Sequence, residues 1–320
     1  MLTFITAESQ KEPSVAKIDI AKIVADTQKL YAKDKKATAI ITTGASVRTA
    51  YTAKDGIPLE TSHPLRILTG LPVLPYNKIA QVVGKPDTGK STFAGELMAG
   101  AQKDHQIILW DSEDKFDAKR FQALGGKPEE VLLIKTNEIL KGAELGRRFI
   151  TAVKEQDPGA KILFVWDSVG GSQSRTHAER ELDNEKHAQP GQDAKENASV
   201  MKMLVSLINK YPDSITVYMA NQSYAKIGFM ARGDSAAGGT KIEYHSSLII
   251  MLKRIKTLTR VVKGTTMKYG IVTRATVTKN HLSQSETSIH QLDFKITASG
   301  ASLIQGNSVS EEEDDEESEE

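Results

Sequence analysis

The chain has 320 residues, of which 39% are hydrophobic and 26% are charged, a composition typical of a folded globular protein. It contains no cysteine, which excludes disulfides, thiolate metal sites and cysteine nucleophiles and agrees with a reducing compartment. No apolar run approaches the ~18 residues of a transmembrane helix, and the first residues lack the features of a signal peptide. We therefore expect a cytoplasmic protein with no membrane partner.

The charge is unevenly distributed along the chain. Nine of the last ten residues are acidic, and without them a chain with 42 basic and 41 acidic residues carries a net charge of +10. A basic body joined to an acidic end favours a polyanionic partner, with the acidic end as an internal competitor for it. The alternative is a tail that only keeps the protein soluble. We expect residues 306–320 to form a disordered tail.

The hydrophobic pattern predicts an N-terminal arm followed by an α/β core. Residues 1–60 are polar apart from Lys17–Lys33, which has the periodicity of an amphipathic helix. Beyond them, short apolar strands alternate with helices, which indicates a mostly parallel sheet flanked by helices. The predicted strands are Ile79–Val83, Ile107–Trp110, Val131–Ile134, Ile162–Trp166 and Ile215–Met219, and the predicted helices are Ser91–Gln102, Ala118–Leu124, Ile139–Lys154 and Ala198–Tyr211.

After Ser247 the pattern changes to strand-like segments joined by short polar turns. The segments SLIIMLKRI, TRVV, IVTRATVT and IHQLDFKIT follow one another, and KGTT is one of the turns. This arrangement predicts an antiparallel extension of the sheet. We therefore divide the chain into an N-terminal arm (1–60), a core of α/β class (61–305) and the acidic tail (306–320).

A glycine-rich segment, GKPDTGKS, lies between the first core strand and the first core helix. It fits the pattern G-x-x-x-x-G-K-[ST], in which backbone N–H groups at a helix N-terminus surround nucleotide phosphates. Lys90 can reach the β- and γ-phosphates, the Ser91 hydroxyl can bind Mg²⁺, and Thr92 faces the α-phosphate. The predicted nucleotide-binding residues here are Gly84, Lys85, Pro86, Asp87, Thr88, Gly89, Lys90, Ser91 and Thr92.

Hydrolysis of a nucleoside triphosphate needs two further groups at the C-terminal edge of the sheet. Asp167 ends the apolar strand KILFVWD and is the candidate for holding the Mg²⁺ shell. Glu113 follows another strand end in ILWDSED and is the candidate for activating the attacking water. Together with Lys90, these carboxylates predict a Mg²⁺-dependent nucleoside triphosphatase.

The segment 223–241 combines flexible backbone, positive charge and aromatic side chains. Such a loop suits a single nucleic acid strand better than the base edges of a duplex. The residues that give it this character are Gly228, Gly233, Gly238, Gly239, Lys226, Arg232, Lys241, Tyr224 and Phe229.

The string MANQSYAKIGFMARGDSAAGGTKIEY, Met219–Tyr244, resembles the strand, glutamine switch and second DNA-binding loop of RecA-type recombinases. The phosphate loop, the DSE at 111–113 and the WDS at 166–168 follow the family's order and spacing. The resemblance covers roughly residues 60–298 and implies a RecA-like core. Its expected cofactors are ATP and Mg²⁺, and its expected partners are single-stranded DNA, double-stranded DNA and further copies of itself. The small C-terminal region suggests a bacteriophage, UvsX-like member.

The resemblance implies roles for particular residues. Glu113 would activate water, Gln222 would sense the γ-phosphate, and Lys279 would reach the phosphates of a neighbouring subunit. His281 stands where the family has a second bridging lysine, so the charge it contributes depends on pH.

The resemblance also implies contacts to adenine and to DNA. Asp117 matches an adenine-contacting acid, and Arg120 replaces a tyrosine that stacks on the base, which a guanidinium plane can also do. A first DNA loop is expected over about Gln173–Asn197. The candidate DNA-binding residues are Arg175 and Arg180 in the first loop, and Tyr224, Lys226, Ile227, Gly228, Phe229, Arg232, Gly238 and Gly239 in the second.

The resulting hypothesis is a DNA-dependent ATPase that forms helical filaments on single-stranded DNA and catalyses homologous pairing and strand exchange. One alternative is a hexameric helicase or translocase on the same core, for which Arg274 is the candidate arginine finger. The other is a non-catalytic recombination accessory protein that uses ATP as a switch, against which the presence of Glu113 argues.

Overall fold

The computed structural model describes residues 19–31, 50–175, 191–225, 234–282 and 289–304. The chain divides into two compact units, Met1–Arg48 and Thr49–Glu320. In the first unit the described residues form one helix, α1 (Ile20–Tyr31), within the predicted segment Lys17–Lys33.

The described part of the second unit contains six α-helices, two 3-10 helices (Pro128–Glu130 and Val169–Gly171) and twelve strands. The helices are α2 (Pro64–Thr69), α3 (Lys90–Ala101), α4 (Ala118–Ala123), α5 (Ile139–Gln156), α6 (Gln192–Lys210) and α7 (Thr240–His245). The strands are β1 (Gly56–Pro58), β2 (Val73–Pro75), β3 (Ile79–Gly84), β4 (Gln106–Asp111), β5 (Val131–Lys135), β6 (Ile162–Asp167), β7 (Ile215–Ala225), β8 (Asp234–Ala236), β9 (Leu248–Val262), β10 (Thr265–Asn280), β11 (Gln291–Thr297) and β12 (Gly300–Leu303).

Ten of these strands form one sheet in the order β12-β11-β10-β9-β3-β7-β6-β4-β5, with β8 paired to β7. Neighbours from β9 to β5 are parallel, whereas those from β9 to β12 are antiparallel. The predicted fold class, a mostly parallel α/β core with an antiparallel extension, is therefore confirmed. The short strands β1 and β2 form a separate two-stranded sheet.

Helices cover both faces of the sheet, because its central strands are apolar on both sides. One core holds α2 and α3 against Val82 and Val165, and the other holds α5, α6 and α7 against Trp110 and Trp166. The two indole rings stack with their centroids 4.3 Å apart. Asp111 and Asp167 follow the two tryptophans. Since side chains alternate across a strand, both point toward the face of the sheet that α3 covers.

The structure differs from the sequence-based expectation in three elements. Strand β7 continues to Ala225, six residues beyond its predicted end. The segments SLIIMLKRI and TRVV form one strand, β9, whose outer half is exposed on both faces and so has no apolar alternation to mark it. Helix α6 begins at Gln192, directly after Gly191 with φ 91°, so the last residues of the predicted first DNA loop are helical.

Strands β9 and β10 form a long hairpin that turns at Lys263 and Gly264. Their φ angles of 49° and 80° are those of a two-residue turn that matches the twist of the strands. The predicted KGTT turn is therefore confirmed. The hairpin, Leu248–Asn280, contains basic residues and no acidic residue.

The division of the chain into arm, core and tail remains a proposal. Strand β1 pairs with β2, which favours a start of the core before residue 60. The acidic tail lies outside the described residues. Among the residues that are described, no helix is both long and apolar enough to cross a lipid bilayer.

Candidate nucleotide-binding and catalytic site

The phosphate loop, residues 84–91, leaves the C-terminal end of β3 and enters α3. Gly89 has a φ of 98°, where only glycine is free of steric strain, and a Cβ there would lie 2.1 Å from Ile296 Cδ1. A Cβ on Gly84 would lie 2.7 Å from the carbonyl oxygen of Leu252. Close packing against the backbone of β9 therefore requires glycine at Gly84, and the backbone conformation requires it at Gly89.

Lys90 places a buried cation beneath this loop. Its Nζ donates hydrogen bonds to the carbonyl oxygens of Gly84 and Lys85, both at 2.8 Å. Burial lowers the pKa of Lys90, while the negative charges of Asp167 and Glu113 oppose that shift. The cation is thus held at the mouth of the loop, among carboxylates and backbone carbonyls.

Asp111 and Asp167 end the neighbouring parallel strands β4 and β6 and are paired in register. Asp111 accepts hydrogen bonds from the backbone N–H groups of Phe116 at 2.8 Å and Glu113 at 3.2 Å, so it shapes the turn after β4. The Asp167 side chain is hydrogen-bonded to Ser91, and burial raises its pKa. Asp167 therefore faces the phosphate loop, whereas Asp111 supports the backbone beside it.

The pair formed by Ser91 and Asp167 fits a Mg²⁺ site. Mg²⁺ prefers oxygen ligands, and proteins usually hold it with one or two side chains, several waters and the phosphates of the substrate. In the described segments, no group of three or more His, Cys, Asp or Glu side chains could hold a metal. One hydroxyl and one carboxylate leave most of the coordination of such an ion to water and to the phosphates of a nucleotide.

Glu113 lies at the centre of a hydrogen-bond network. Its Oε1 accepts hydrogen bonds from the Ser168 hydroxyl and, at 3.0 Å, from Nε2 of Gln222. Its Oε2 lies 2.5 Å from Nζ of Lys115. Although burial raises the pKa of Glu113, the hydrogen bonds from these three side chains outweigh it and leave the pKa below its usual value. The carboxylate is therefore ionised at neutral pH.

Gln222 connects Glu113 to the second predicted DNA loop. The amide oxygen of Gln222 accepts a hydrogen bond from the Tyr224 hydroxyl at 3.0 Å. Strand β7 then pairs with β8, with Ala225 opposite Asp234, and this pairing joins the two ends of the segment 226–233. Five predicted DNA-binding residues in that segment lie outside the described residues: Lys226, Ile227, Gly228, Phe229 and Arg232.

The other predicted DNA-binding residues have different surroundings. Tyr224 and Arg175 are exposed, and Arg180 lies outside the described residues. Gly238 and Gly239 precede α7 with φ angles of 84° and 90°. A Cβ on Gly238 would lie 2.5 Å from the Ile242 side chain, so tight packing explains this glycine without a DNA contact.

Two clefts adjoin the phosphate loop. One, of about 400 Å³, is lined by Lys90, Glu113 and Asp167. The other, of about 800 Å³, lies between the loop, α4 and the outer half of the β9–β10 hairpin, where Arg260 and Lys268 line it. Asp117 and Arg120, which were predicted to contact adenine, line both clefts.

The predicted adenine-contacting residues also have structural roles. Asp117 caps α4 by accepting hydrogen bonds from the backbone N–H groups of Lys119 and Arg120. The guanidinium of Arg120 donates a hydrogen bond to the Thr92 hydroxyl at 2.6 Å. This contact fixes Arg120 at the N-terminal end of α3, next to the phosphate loop.

The residues predicted to act across a subunit interface lie near α7. Nζ of Lys279 donates hydrogen bonds to the carbonyl oxygens of Glu243 at 2.9 Å and Tyr244 at 3.2 Å, at the C-terminal end of that helix. His281 is exposed, and its backbone N–H donates to the carbonyl oxygen of Ser247 at 2.8 Å.

Several residues around the site were not predicted from the sequence. Lys115 and Ser168 contact Glu113, and Lys268 and Tyr269 of the hairpin line the larger cleft. The DSE and WDS strings contained the signal for Ser168. They lie at the ends of the neighbouring strands β4 and β6, so the serine of one string comes close to the glutamate of the other. Nothing in the local sequence marks the two hairpin residues, which reach the phosphate loop only through the order of strands in the sheet.

Comparison with known proteins agrees with this geometry. The RecA N-terminal domain family matches residues 19–299 of the chain. Protein RecA of Streptomyces ambofaciens is 27% identical over 243 residues, which cover 74% of this chain and 61% of the relative. Protein RecA of Streptococcus mutans is 29% identical over 209 residues, which cover 64% of this chain and 52% of the relative.

The chain thus spans about three fifths or less of the length of these relatives. The family match nevertheless extends over most of the chain and includes the phosphate loop, both carboxylates and Gln222. These residues meet at the C-terminal edge of one sheet. The chain belongs to the RecA family.

Proposed function

We propose that this protein is a DNA-dependent ATPase that forms helical filaments on single-stranded DNA and pairs the bound strand with a homologous duplex. The observation that carries the proposal is the hydrogen bond between Gln222 and Glu113. It joins the candidate catalytic carboxylate to the strand that leads into the candidate DNA loop. A direct contact of this kind would let the state of the nucleotide and the state of the loop influence each other.

The proposed ATPase chemistry uses the groups around the phosphate loop. Backbone N–H groups and Lys90 bind the phosphates, while Ser91 and Asp167 hold Mg²⁺, whose charge would offset that of the phosphates. Glu113 is ionised and accepts a proton from the water whose oxygen attacks the γ-phosphorus, as the bond to the leaving ADP breaks. Gln222 then responds to loss of the γ-phosphate through its contact with Glu113.

The proposed DNA-binding elements are the two loops at the C-terminal edge of the sheet. The segment 226–233 carries two basic residues, an exposed tyrosine precedes it, and its ends are held by the β7–β8 pairing. Basic residues neutralise phosphates and aromatic rings stack on unpaired bases, which suits a single strand of any sequence. Arg175 and Arg180 of the first loop are further candidates.

The β9–β10 hairpin supports binding of a second, duplex DNA. It extends from the sheet and carries only basic charges, and its outer half is exposed. A surface of this kind attracts a polyanion whatever its sequence. Base pairing with the bound strand would supply the choice of sequence, and the acidic tail would compete for the same surface.

Filament formation is proposed from the expected reach of Lys279 and His281 toward the nucleotide of a neighbouring copy. Head-to-tail association that does not close gives a helix rather than a ring. ATP between two copies would favour assembly, and hydrolysis would favour release. The N-terminal arm, residues 1–60, is the proposed polymerisation element.

The two alternatives are less well supported. The candidate arginine finger of a hexameric helicase, Arg274, forms a two-point ion pair with Asp293, with distances of 2.8 and 3.0 Å, and its side chain is only 13% exposed. Its guanidinium is therefore engaged within its own chain. A non-catalytic ATP switch does not require the ionised, triply hydrogen-bonded carboxylate that Glu113 provides.

The test combines electron microscopy with ATPase assays. With single-stranded DNA and a non-hydrolysable ATP analogue we expect helical filaments, and with ATP we expect hydrolysis stimulated by single-stranded DNA. Glu113→Gln should bind ATP and assemble without turnover, whereas the matched control Asp114→Asn, in the adjacent exposed carboxylate, should retain activity. Closed rings would favour the helicase, and ATP binding without hydrolysis in the unmodified protein would favour the switch.

A further inference from the structure

A lysine outside the phosphate-loop motif contacts the candidate catalytic carboxylate. Nζ of Lys115 lies 2.5 Å from Oε2 of Glu113. The Lys115 side chain is 76% exposed and that of Glu113 is 21% exposed, so the ion pair sits at the rim of the smaller cleft, which Lys115 also lines. Contact with Glu113, with smaller effects of Asp167 and Asp87, raises the pKa of Lys115. Lys115 is therefore a permanent cation at neutral pH.

The backbone that carries Lys115 is fixed, whereas its side chain extends into solvent. Asp111 binds the backbone N–H groups of Glu113 and Phe116, on either side of Lys115. Asp114 is paired with Lys135 on β5. The long Lys115 side chain can therefore change partners without any movement of the turn.

The two oxygens of Glu113 have separate partners. Oε1 is held by Ser168 and Gln222, while Oε2 contacts Lys115. If Lys115 moves away, Glu113 keeps its position through Oε1 and gains a free oxygen for a water molecule. The arrangement thus separates the anchoring of the carboxylate from its availability as a base.

The γ-phosphate of ATP is a stronger partner for Lys115 than Glu113 is. Ion pairs between exposed side chains contribute little, because water solvates both charges and the side chains lose freedom. A terminal phosphate carries close to two negative charges and three acceptor oxygens, and hydrogen bonds from ammonium groups to phosphate are strong. ATP bound in the smaller cleft would have its γ-phosphate near Lys90 and Glu113, and Lys115 lines the same cleft.

We propose that Lys115 is a γ-phosphate ligand that pairs with Glu113 until ATP binds and then exchanges the carboxylate for the γ-phosphate. The exchange makes Oε2 of Glu113 available for the attacking water only when a triphosphate is present. Lys115 therefore discriminates ATP from ADP and keeps Oε2 of Glu113 occupied until a triphosphate binds. The inference rests on the proposed ATPase function and assigns it one further substrate-contacting residue.

The experiment measures the affinities of the full chain for ADP and for a non-hydrolysable ATP analogue by calorimetry. Loss of one charge-assisted hydrogen bond corresponds to roughly a tenfold change in affinity. Lys115→Gln should therefore bind the ATP analogue about tenfold more weakly and bind ADP within about twofold of the unmodified protein. Lys115→Arg, which keeps the charge, should restore most of the preference for ATP.

The matched control is Lys135→Gln, which removes another exposed lysine, at the end of β5, from its ion pair with Asp114 of the same turn and should leave both affinities unchanged. Equal losses for ADP and the ATP analogue, or a lower turnover with an unchanged ratio of affinities, would overturn the assignment to the γ-phosphate. If the unmodified protein binds neither nucleotide, the proposed function itself fails. If the unmodified protein binds and hydrolyses ATP, and Lys115→Gln binds both nucleotides with unchanged affinities and hydrolyses ATP, only the present inference fails.

Discussion

Glu96 on α3 provides a test of how the last strands are tied to the helix behind the phosphate loop. Its Oε1 accepts a hydrogen bond from the backbone N–H of Ala301 at 2.6 Å, while Oε2 is buried and has no partner among the described residues. Burial raises the pKa of Glu96 to about 7, and the bond from Ala301 only partly opposes this. The ionised form is therefore disfavoured in the folded protein.

The consequence is a loss of stability as the pH rises. A raised pKa means that the folded state holds a proton that the unfolded state releases, so stability falls from pH 4.5 upward and the loss is complete above about pH 7. A difference of this size corresponds to at most about 3 kcal/mol. Because part of the Glu96 side chain remains solvated, we expect the unfolding free energy to fall by about 2 kcal/mol between about pH 5 and pH 8.

The substitution Glu96→Gln removes this dependence, because the amide oxygen keeps the bond to Ala301 and cannot ionise. Urea unfolding of both proteins at about pH 5 and pH 8 should reveal a gap in unfolding free energy that grows by about 2 kcal/mol toward the higher pH. Glu130→Gln, at an exposed ion pair with Lys127, is the control and should give a nearly constant gap. A constant gap for Glu96→Gln as well would refute the reasoning.

Three further predictions concern the active site, the interface and the tail. A Cβ on Gly171 would lie 2.4 Å from Cγ of Glu113, so Gly171→Ala should displace the carboxylate and slow ATP hydrolysis at least about tenfold while ATP binding measured by calorimetry persists. A mixture of Lys279→Ala with Glu113→Gln should recover some ATPase activity, and no recovery at any ratio of folded proteins would count against a site shared between copies. Deletion of residues 311–320 should tighten duplex binding several-fold at low salt, with less effect on single-stranded DNA, and equal duplex affinities across a salt titration would favour a merely solubilising tail.

Much of the fold could be predicted because its signals are local. Buried parallel strands are continuous apolar runs, and the run at Ile162–Trp166 was located almost to the residue. Prediction failed where the chain is exposed or where a neighbour decides the structure. The outer half of β9 packs against no core and follows no apolar pattern, and β12 is short and paired only at the edge of the sheet. The N-terminal residues of α6 are polar, so the hydrophobic pattern predicts a loop there.

The candidate site, like the fold, could be predicted where its signals are local. The phosphate loop is a local motif, because the positions of its glycines and lysine follow from the shape of a phosphate and the start of a helix. The roles of Lys279 and His281 came only from the resemblance and stay predictions. Lys115 was missed because its significance depends on the direction of a flexible side chain, which spacing along the chain does not encode.

The sequence by itself determined that a strand, a glycine-rich loop and a helix form a phosphate site, since these elements lie within a few residues of each other. It also determined that acids end two apolar strands. Only the tertiary structure decided that Glu113 meets Gln222, which is 109 residues away in the chain, and that Arg274 is occupied by Asp293. The physical reason is that hydrogen bonds and ion pairs act over a few ångströms, and the order of strands in the sheet decides which distant residues come that close.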